Sequence, residues 1–153
     1  MTKPFHLQPL VHLAHQKSDA AARKFGLLNQ QQQAAQAKLD TLLQYHKDYV
    51  TRFEQVLQSG ISQADMRNFQ DFIKRLDEAV AQQREVIEQA HRSVQAGRGE
   101  LEQSQRKMKS FDTLADRHQK SSKQQEEKAE QRLQDEHSGR AAAVKAATAQ
   151  DDK

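Results

Sequence analysis

Three side chains near the start of the chain have types and a spacing that could bind a metal ion. His12 and His15 lie three residues apart, and Asp19 follows one helical turn later. Two imidazoles and a carboxylate on one helical face can coordinate zinc. The sequence offers no further ligand and no residue that would orient the imidazoles, so we interpret both histidines as solvated. We therefore expect no metal and no cofactor.

No other group of residues has the spacing of a catalytic site. The sequence contains neither a glycine-rich phosphate loop nor a nucleophile elbow. It contains no cysteine, which excludes disulfides and thiolate metal sites. We predict that the chain is not an enzyme, has no small-molecule substrate and works by binding other proteins.

The composition indicates helices with a narrow apolar stripe. Only 35% of the 153 residues are hydrophobic, whereas a compact domain usually has about 45–50%. Both prolines lie in the first ten residues, and strong helix formers dominate the remainder. No run of about 18 apolar residues and no secretory signal is present. We expect a soluble, cytoplasmic, all-α protein.

Charges of both signs alternate along the chain, whose net charge is +3. A nucleic-acid-binding protein usually concentrates its basic residues on one face, so we expect no nucleic-acid partner. The most basic stretch contains Arg106, Lys107, Lys109, Arg117, Lys120 and Lys123. We interpret this stretch as a solvated helical face.

One turn interrupts the helical pattern. Gly60 suits the left-handed position that ends a helix, and Ser62 with Asp65 is typical of a helix start. We predict a first helix over about 5–57, a turn over 58–61 and a second helix over about 62–138. These residues form a single domain, and residues 139–153 are expected to be a disordered tail.

Both helices carry a heptad repeat. In the first helix, apolar or tolerated polar residues occupy a positions from Phe25 to Phe53 and d positions from Leu28 to Val56. In the second, the a positions run from Met66 to Met108 and the d positions from Phe69 to Phe111. Such a repeat predicts a left-handed coiled coil.

Folding the two helices back on each other pairs residues that are equally distant from Ile61. Phe53 then meets Phe69, and Phe25 meets Gly97, so a large side chain faces a small one in the second pair. The centre of this pairing coincides with the turn at Gly60, and the two observations together predict an antiparallel hairpin. The apolar repeat fades after Ala115, so the second helix should overhang the first by about 20 residues. Such an unpaired polar helix either frays in water or is held by a protein partner, and the sequence leaves both alternatives open.

Two of the few aromatic residues lie beside the seam. Tyr45 and Phe72 both occupy g positions, which share one edge of an antiparallel pair. With Leu42, Tyr49 and Leu76 they should form a partly exposed apolar strip near the turn. Such aromatic edges are typical of protein interfaces, although the same residues could simply widen the seam.

The order and spacing of several short motifs resemble the family of flagellar export proteins called FliJ. The motifs are Phe5-x-Leu7-x-x-Leu10, Leu39-x-x-Leu42-x-x-Tyr45-x-x-x-Tyr49, Phe69-x-x-Phe72-x-x-x-Leu76-x-x-Ala79 and Arg132-x-x-Asp135-Glu136. The resemblance implies a cytoplasmic component of flagellar type III protein export, held at the inner membrane through other proteins. It also implies contacts with the export ATPase FliI, the export gate FlhA and export chaperones.

The resemblance implies two binding surfaces on this chain. The gate surface would comprise Leu42, Tyr45, Tyr49, Phe72, Leu76 and Ala79. The ATPase surface would lie at the end that holds the termini and would comprise Leu7, Leu10, Arg117, Lys120, Lys123 and Arg132. A stalk of a virulence type III secretion system and a generic structural coiled coil are the alternatives.

Overall fold

The computed structural model describes residues 4–151 as two helices joined by a short turn. Helix α1 spans Gln8–Ser59 and helix α2 spans Gln63–Asp151. Contacts such as Phe53 with Phe69 near the turn and His15 with Asp112 near the termini require the helices to be antiparallel. The predicted all-α two-helix hairpin, with α2 overhanging α1, is confirmed.

The helix ends differ from the predicted ends. Helix α1 begins at Gln8 instead of residue 5, after a turn in which the Gln8 amide donates to the carbonyl of Phe5. Helix α2 continues to Asp151, whereas the sequence predicted an end at 138 and a disordered tail over 139–153. Alanines dominate residues 141–149 and favour a helix, and Gly139 alone does not end it. Residues 1–3 and 152–153 lie outside the described residues.

The turn has the predicted geometry. Gly60 has a φ of 85°, in the left-handed region that glycine adopts without strain, and its amide donates to the carbonyl of Leu57. The Ser62 hydroxyl accepts a hydrogen bond of 3.2 Å from the Asp65 amide. Ser62 therefore caps α2, as its position before the helix predicted.

The seam follows the predicted heptads. Every predicted a and d position from Phe25 to Phe111 is at least half-buried, and Ala35, Leu39, Leu76 and Val94 are buried. The buried Gln83 lies at a d position, and its amide donates a 2.8 Å hydrogen bond to the carbonyl of Ala35. A buried polar group tied in this way favours one alignment of the two helices.

Contacts divide the chain into two compact units. One comprises Met1–Gln16 with Arg106–Lys153, and the other comprises Lys17–Gln105. Each unit contains segments of both helices. The second unit holds the turn and most of the seam. The prediction of a single domain over residues 1–138 stays a prediction.

Candidate protein-binding surfaces

A groove of about 310 Å³ lies on the hairpin near the turn, within the unit Lys17–Gln105. We call it the turn groove and define it by its lining residues. These are Tyr45, Asp48, Tyr49, Arg52, Phe72 and Leu76. The heptad positions them, because Tyr49 and Leu76 are d residues of the seam and Tyr45 and Phe72 are g residues of one edge.

Four aromatic rings stack across the seam beside and beneath this groove. The ring centroids of Tyr49 and Phe72 lie 4.3 Å apart, those of Tyr49 and Phe69 lie 5.2 Å apart, and those of Phe53 and Phe69 lie 5.4 Å apart. All three pairs are tilted, as aromatic pairs prefer. The stack holds Phe72 in place although 41% of its surface is exposed. An ordered, exposed aromatic ring can bind a partner with little loss of its own entropy.

The two edges of the hairpin differ at this level. The g edge carries the turn groove, where Tyr45 is 60% exposed. On the opposite e edge, Leu43, Val50 and Leu57 recur every seven residues, but no e position near the turn holds a phenylalanine or a tyrosine. There the His46 imidazole lies 2.6 Å from the carboxylate of Asp77. Among the described residues near the turn, the exposed aromatic rings, Tyr45 and Phe72, therefore lie on the g edge.

The structure brings together four of the six residues assigned to the gate surface. Tyr45, Tyr49, Phe72 and Leu76 line the turn groove, whereas Leu42 and Ala79 do not. Leu42 is half-buried at a d position between the helices, and Ala79 is half-buried at a g position. Sequence reasoning missed Asp48 and Arg52, whose polar types gave no signal that they border an apolar groove.

The residues assigned to the ATPase surface are spread over the unit that holds the termini. Leu7 is half-buried and Leu10 is 42% exposed. The four basic residues, Arg117, Lys120, Lys123 and Arg132, are exposed. A shallow groove of about 560 Å³ lies in the same unit, between Phe5 and Gln8 of the chain start and residues 115–126 of α2. Among the six assigned residues, only Lys123 lines it.

The last part of α2 buries none of its described side chains. Every side chain from Lys123 to Asp151 is exposed, and we call this segment the free end. The seam persists slightly beyond its predicted fade at Ala115, because the ring of Phe5 contacts that of His118 at 5.2 Å. The overhang is nevertheless longer than the predicted 20 residues, because α2 continues to Asp151.

The two histidines that suggested zinc have different partners. His15 lies 2.8 Å from the Asp112 carboxylate across the seam, whereas the His12 ring faces the Gln16 amide at 3.2 Å. Within residues 4–151, no three histidine or acidic side chains are grouped so that they could hold a metal ion. Helix α1 and helix α2, as far as they are described, contain no stretch long and apolar enough to cross a membrane.

The amino-acid sequence is similar to a known protein family and to two members of it. Residues 2–147 match the model of the family described as Flagellar FliJ protein. The chain is 27% identical over 136 residues to the Flagellar FliJ protein of Escherichia coli K12, covering 89% of this chain and 92% of the relative. The Salmonella typhi relative is 28% identical with the same coverage.

A solved structure of a YscO homolog from Chlamydia trachomatis superposes with a TM-score of 0.61 over 94% of this chain and 96% of that chain. At 16% identity, this likeness shows the fold alone. The family model covers nearly the whole chain, and the resemblance inferred from the residue motifs is confirmed. The chain belongs to the flagellar FliJ family.

Proposed function

We propose that the chain is a non-enzymatic, protein-binding component of flagellar type III protein export. It contacts the export gate FlhA through the turn groove and the export ATPase FliI through the free end of α2, and it assists the delivery of export chaperones with their substrates. These contacts hold it at the periphery of the inner membrane. The aromatic turn groove is the observation that carries the proposal.

The turn groove supports a protein partner because of its chemistry and its place on the hairpin. Tyr45 and Phe72 expose 60% and 41% of their surfaces, while Leu76 beside them is buried. Interface residues that contribute most to affinity are enriched in aromatic side chains set in well-packed surroundings. Asp48 and Arg52 add charges at the border that can fix the orientation of a partner.

The free end supports the second contact for a different reason. A polar helix without a packed face is marginal in water. A ring of subunits around residues 123–151 would supply the missing packing. Such a stalk performs no chemistry. It would shift the ring towards the state that it binds more tightly, by no more than the difference between its two affinities.

The gate contact is tested by measuring the affinity of the full chain for the purified cytoplasmic part of FlhA by calorimetry. Phe72→Ala should weaken binding by about tenfold or more. The matched control is Leu43→Ala, because Leu43 is 39% exposed but lies on the opposite edge. Its effect should stay below about twofold. Equal effects of the two substitutions would place the gate contact elsewhere.

The ATPase contact is tested by adding the chain to FliI and measuring ring assembly and ATP turnover. A chain shortened after Ser122 keeps the described seam and lacks the free end. It should fold, as checked by circular dichroism, and should lose the stimulation of ATP turnover. Unchanged stimulation by the shortened chain would refute the role of the free end.

The two alternatives, a stalk of a virulence type III secretion system and a generic structural coiled coil, receive less support from the comparisons. Both relatives and the matching family are flagellar, whereas the likeness to the YscO homolog concerns the fold alone.

A further inference from the structure

Three leucines near the chain termini are exposed on one edge of the hairpin. Leu10 and Leu114 occupy g positions, and Leu13 occupies a c position one helical turn after Leu10. The exposed fraction is 42% for Leu10, 44% for Leu13 and 40% for Leu114. All three belong to the compact unit that holds the termini. We call them the leucine patch.

The antiparallel heptad brings these leucines together. Residues at g positions of the two helices adjoin when their numbers sum to 124, as they do in the 3.1 Å ion pair between Lys24 and Glu100. Leu10 and Leu114 have the same sum, so their side chains lie side by side. Leu13 follows Leu10 by three residues, and residues at this spacing are neighbours on a helix surface. The leucine patch is therefore one contiguous apolar surface.

Packing of the hairpin accounts for only part of this surface. Val11 and Ala14 are buried at a and d positions, where they form the seam of this unit. A g position borders the seam, but a c position faces away from it. The seam therefore gives no reason for a leucine at position 13. Exposed apolar patches of this kind mark sites of contact with other proteins.

The charges around the leucine patch have one sign. Lys107 occupies the g position before Leu114, and Arg117 occupies the c position one turn after it. Both are exposed, and neither forms an ion pair within the described part of the chain. The acidic residues of this stretch, Asp112 and Asp116, occupy e and b positions on the other side of α2. The leucine patch therefore favours a partner whose apolar surface is flanked by carboxylates.

The leucine patch lies close to the surface that the proposed function assigns to the ATPase. Nine residues of α2, about 14 Å along the helix axis, separate Leu114 from Lys123, where the free end begins. Both belong to the same compact unit. A protein that packs around the free end can therefore reach the leucine patch as well. This proximity favours the ATPase over the other proposed partners.

We propose that the leucine patch is a second contact with the export ATPase, which binds it through an apolar surface flanked by acidic side chains. The inference rests on the proposed function, in which the ATPase binds the free end. The free end shifts the state of the ring, whereas the leucine patch adds affinity. Because the e positions opposite hold the polar residues Gln8, His15 and Asp112, the contact is one-sided and fixes which edge faces the ATPase.

Substitution of the leucines tests the contact by calorimetry of the full chain with FliI. Leu13→Glu with Leu114→Glu should weaken binding by about tenfold or more, because apolar surface is lost and the new carboxylates meet like charges. The matched control is Leu27→Glu, since Leu27 is 60% exposed and also occupies a c position but belongs to the other unit. Its effect should stay below about twofold. Circular dichroism checks that the variants are equally helical.

Charge reversal tests the chemistry of the partner. Lys107→Glu with Arg117→Glu should weaken binding to FliI by about fivefold or more, and the loss should grow as the salt concentration falls. Arg106→Glu with Lys109→Glu makes the same change in net charge at f and b positions, away from the leucine patch. This control should change the affinity by less than about twofold. Equal losses in the two double variants would show that only net charge matters and would overturn the proposal.

Stimulation of ATP turnover separates this inference from the proposed function. A chain with Leu13→Glu and Leu114→Glu keeps the free end, so at saturating concentration it should stimulate FliI as fully as the unchanged chain. About tenfold more of it should be needed for half-maximal stimulation. An unchanged affinity and an unchanged half-maximal concentration would overturn the role of the leucine patch and leave that of the free end intact. Full stimulation by the chain shortened after Ser122 would refute only the free end.

Discussion

The turn groove and the free end of α2 show two ways in which a helix can present itself to a partner. Around the turn groove, the seam orders four aromatic rings and leaves Tyr45 and Phe72 partly exposed. At the free end, helix α2 continues beyond α1 with polar, charged and small side chains, among which Leu133 and Val144 are the larger aliphatic ones. The turn groove is thus preformed in the free chain. The free end stays helical only through its own helix propensity or through contact with a partner. Stability, salt dependence and tolerance to substitution should therefore differ between them.

The largest difference should appear in unfolding. Phe69→Ala removes the ring that contacts both Tyr49 and Phe53, and should lower the free energy of unfolding by about 2–4 kcal/mol. Leu133→Ala, measured on the monomer, should change it by less than about 0.5 kcal/mol because Leu133 has no packing to lose. Urea denaturation followed by circular dichroism checks both values. A large effect at Leu133 would mean that the free end packs against the hairpin.

The affinities of the two surfaces for their partners should depend differently on salt concentration. Association through the aromatic turn groove should weaken by less than about threefold between low and high salt. Association through the charged free end should weaken by about tenfold over the same range, because exposed charges are screened. Calorimetry with FlhA and with FliI at two salt concentrations provides the comparison. If the affinities for FlhA and FliI fell equally with salt concentration, the assignment of one partner to the aromatic turn groove and the other to the charged free end would be contradicted.

Substitution of the serine that caps α2 should give a smaller difference in unfolding free energy between the hairpin and the free end. Ser62→Ala removes the acceptor for the Asp65 amide and should lower the free energy of unfolding by about 1 kcal/mol. Ser138→Ala, within the free end, should leave the unfolding midpoint unchanged. If the two substitutions had equal effects, unfolding of the free end would be coupled to that of the hairpin.

Two glycines give the smallest and most closely matched contrast. A Cβ added at Gly26 or at Gly139 would meet no atom within 4 Å. Gly26→Ala, in the paired part of α1, should raise the free energy of unfolding by about 0.5–1 kcal/mol through helix propensity. Gly139→Ala should increase the helical signal without moving the unfolding midpoint. A shift of the midpoint at Gly139 would argue against an independent free end.

The sequence predicted the fold from signals that are local or periodic. Gly60 and Ser62 specify the turn through backbone geometry and capping, and the heptads specify which faces meet. The sequence did not predict two features. One is the exact set of side chains that line the groove, and the other is the end of α2, which depends on small differences in helix propensity. Leu42 was assigned to the exposed strip but is directed between the helices, and Asp48 borders the groove without any apolar character. The end of α2 was misplaced because Gly139 outweighed the alanines after it in the prediction.

The functional assignment of the surface residues stays a prediction, because geometry shows which side chains are presented together and not which protein contacts them. The turn groove could be located from the sequence because aromatic residues are rare and two of them share an edge. The reversal of charge along α2, from basic before residue 124 to acidic after it, is also visible in the sequence and lies within the predicted second helix.

The glycine turn also determines the order in which the hairpin can fold. Phe53 and Phe69 close a loop of about sixteen residues, whereas His15 and Asp112 are 97 residues apart. Closing the longer loop first would cost about 1.6 kcal/mol more in chain entropy. Pairing should therefore begin at the turn and proceed outward, so that the aromatic rings of the turn groove belong to the folding nucleus. Substitutions there should slow folding, whereas substitutions near His15 should mainly speed unfolding.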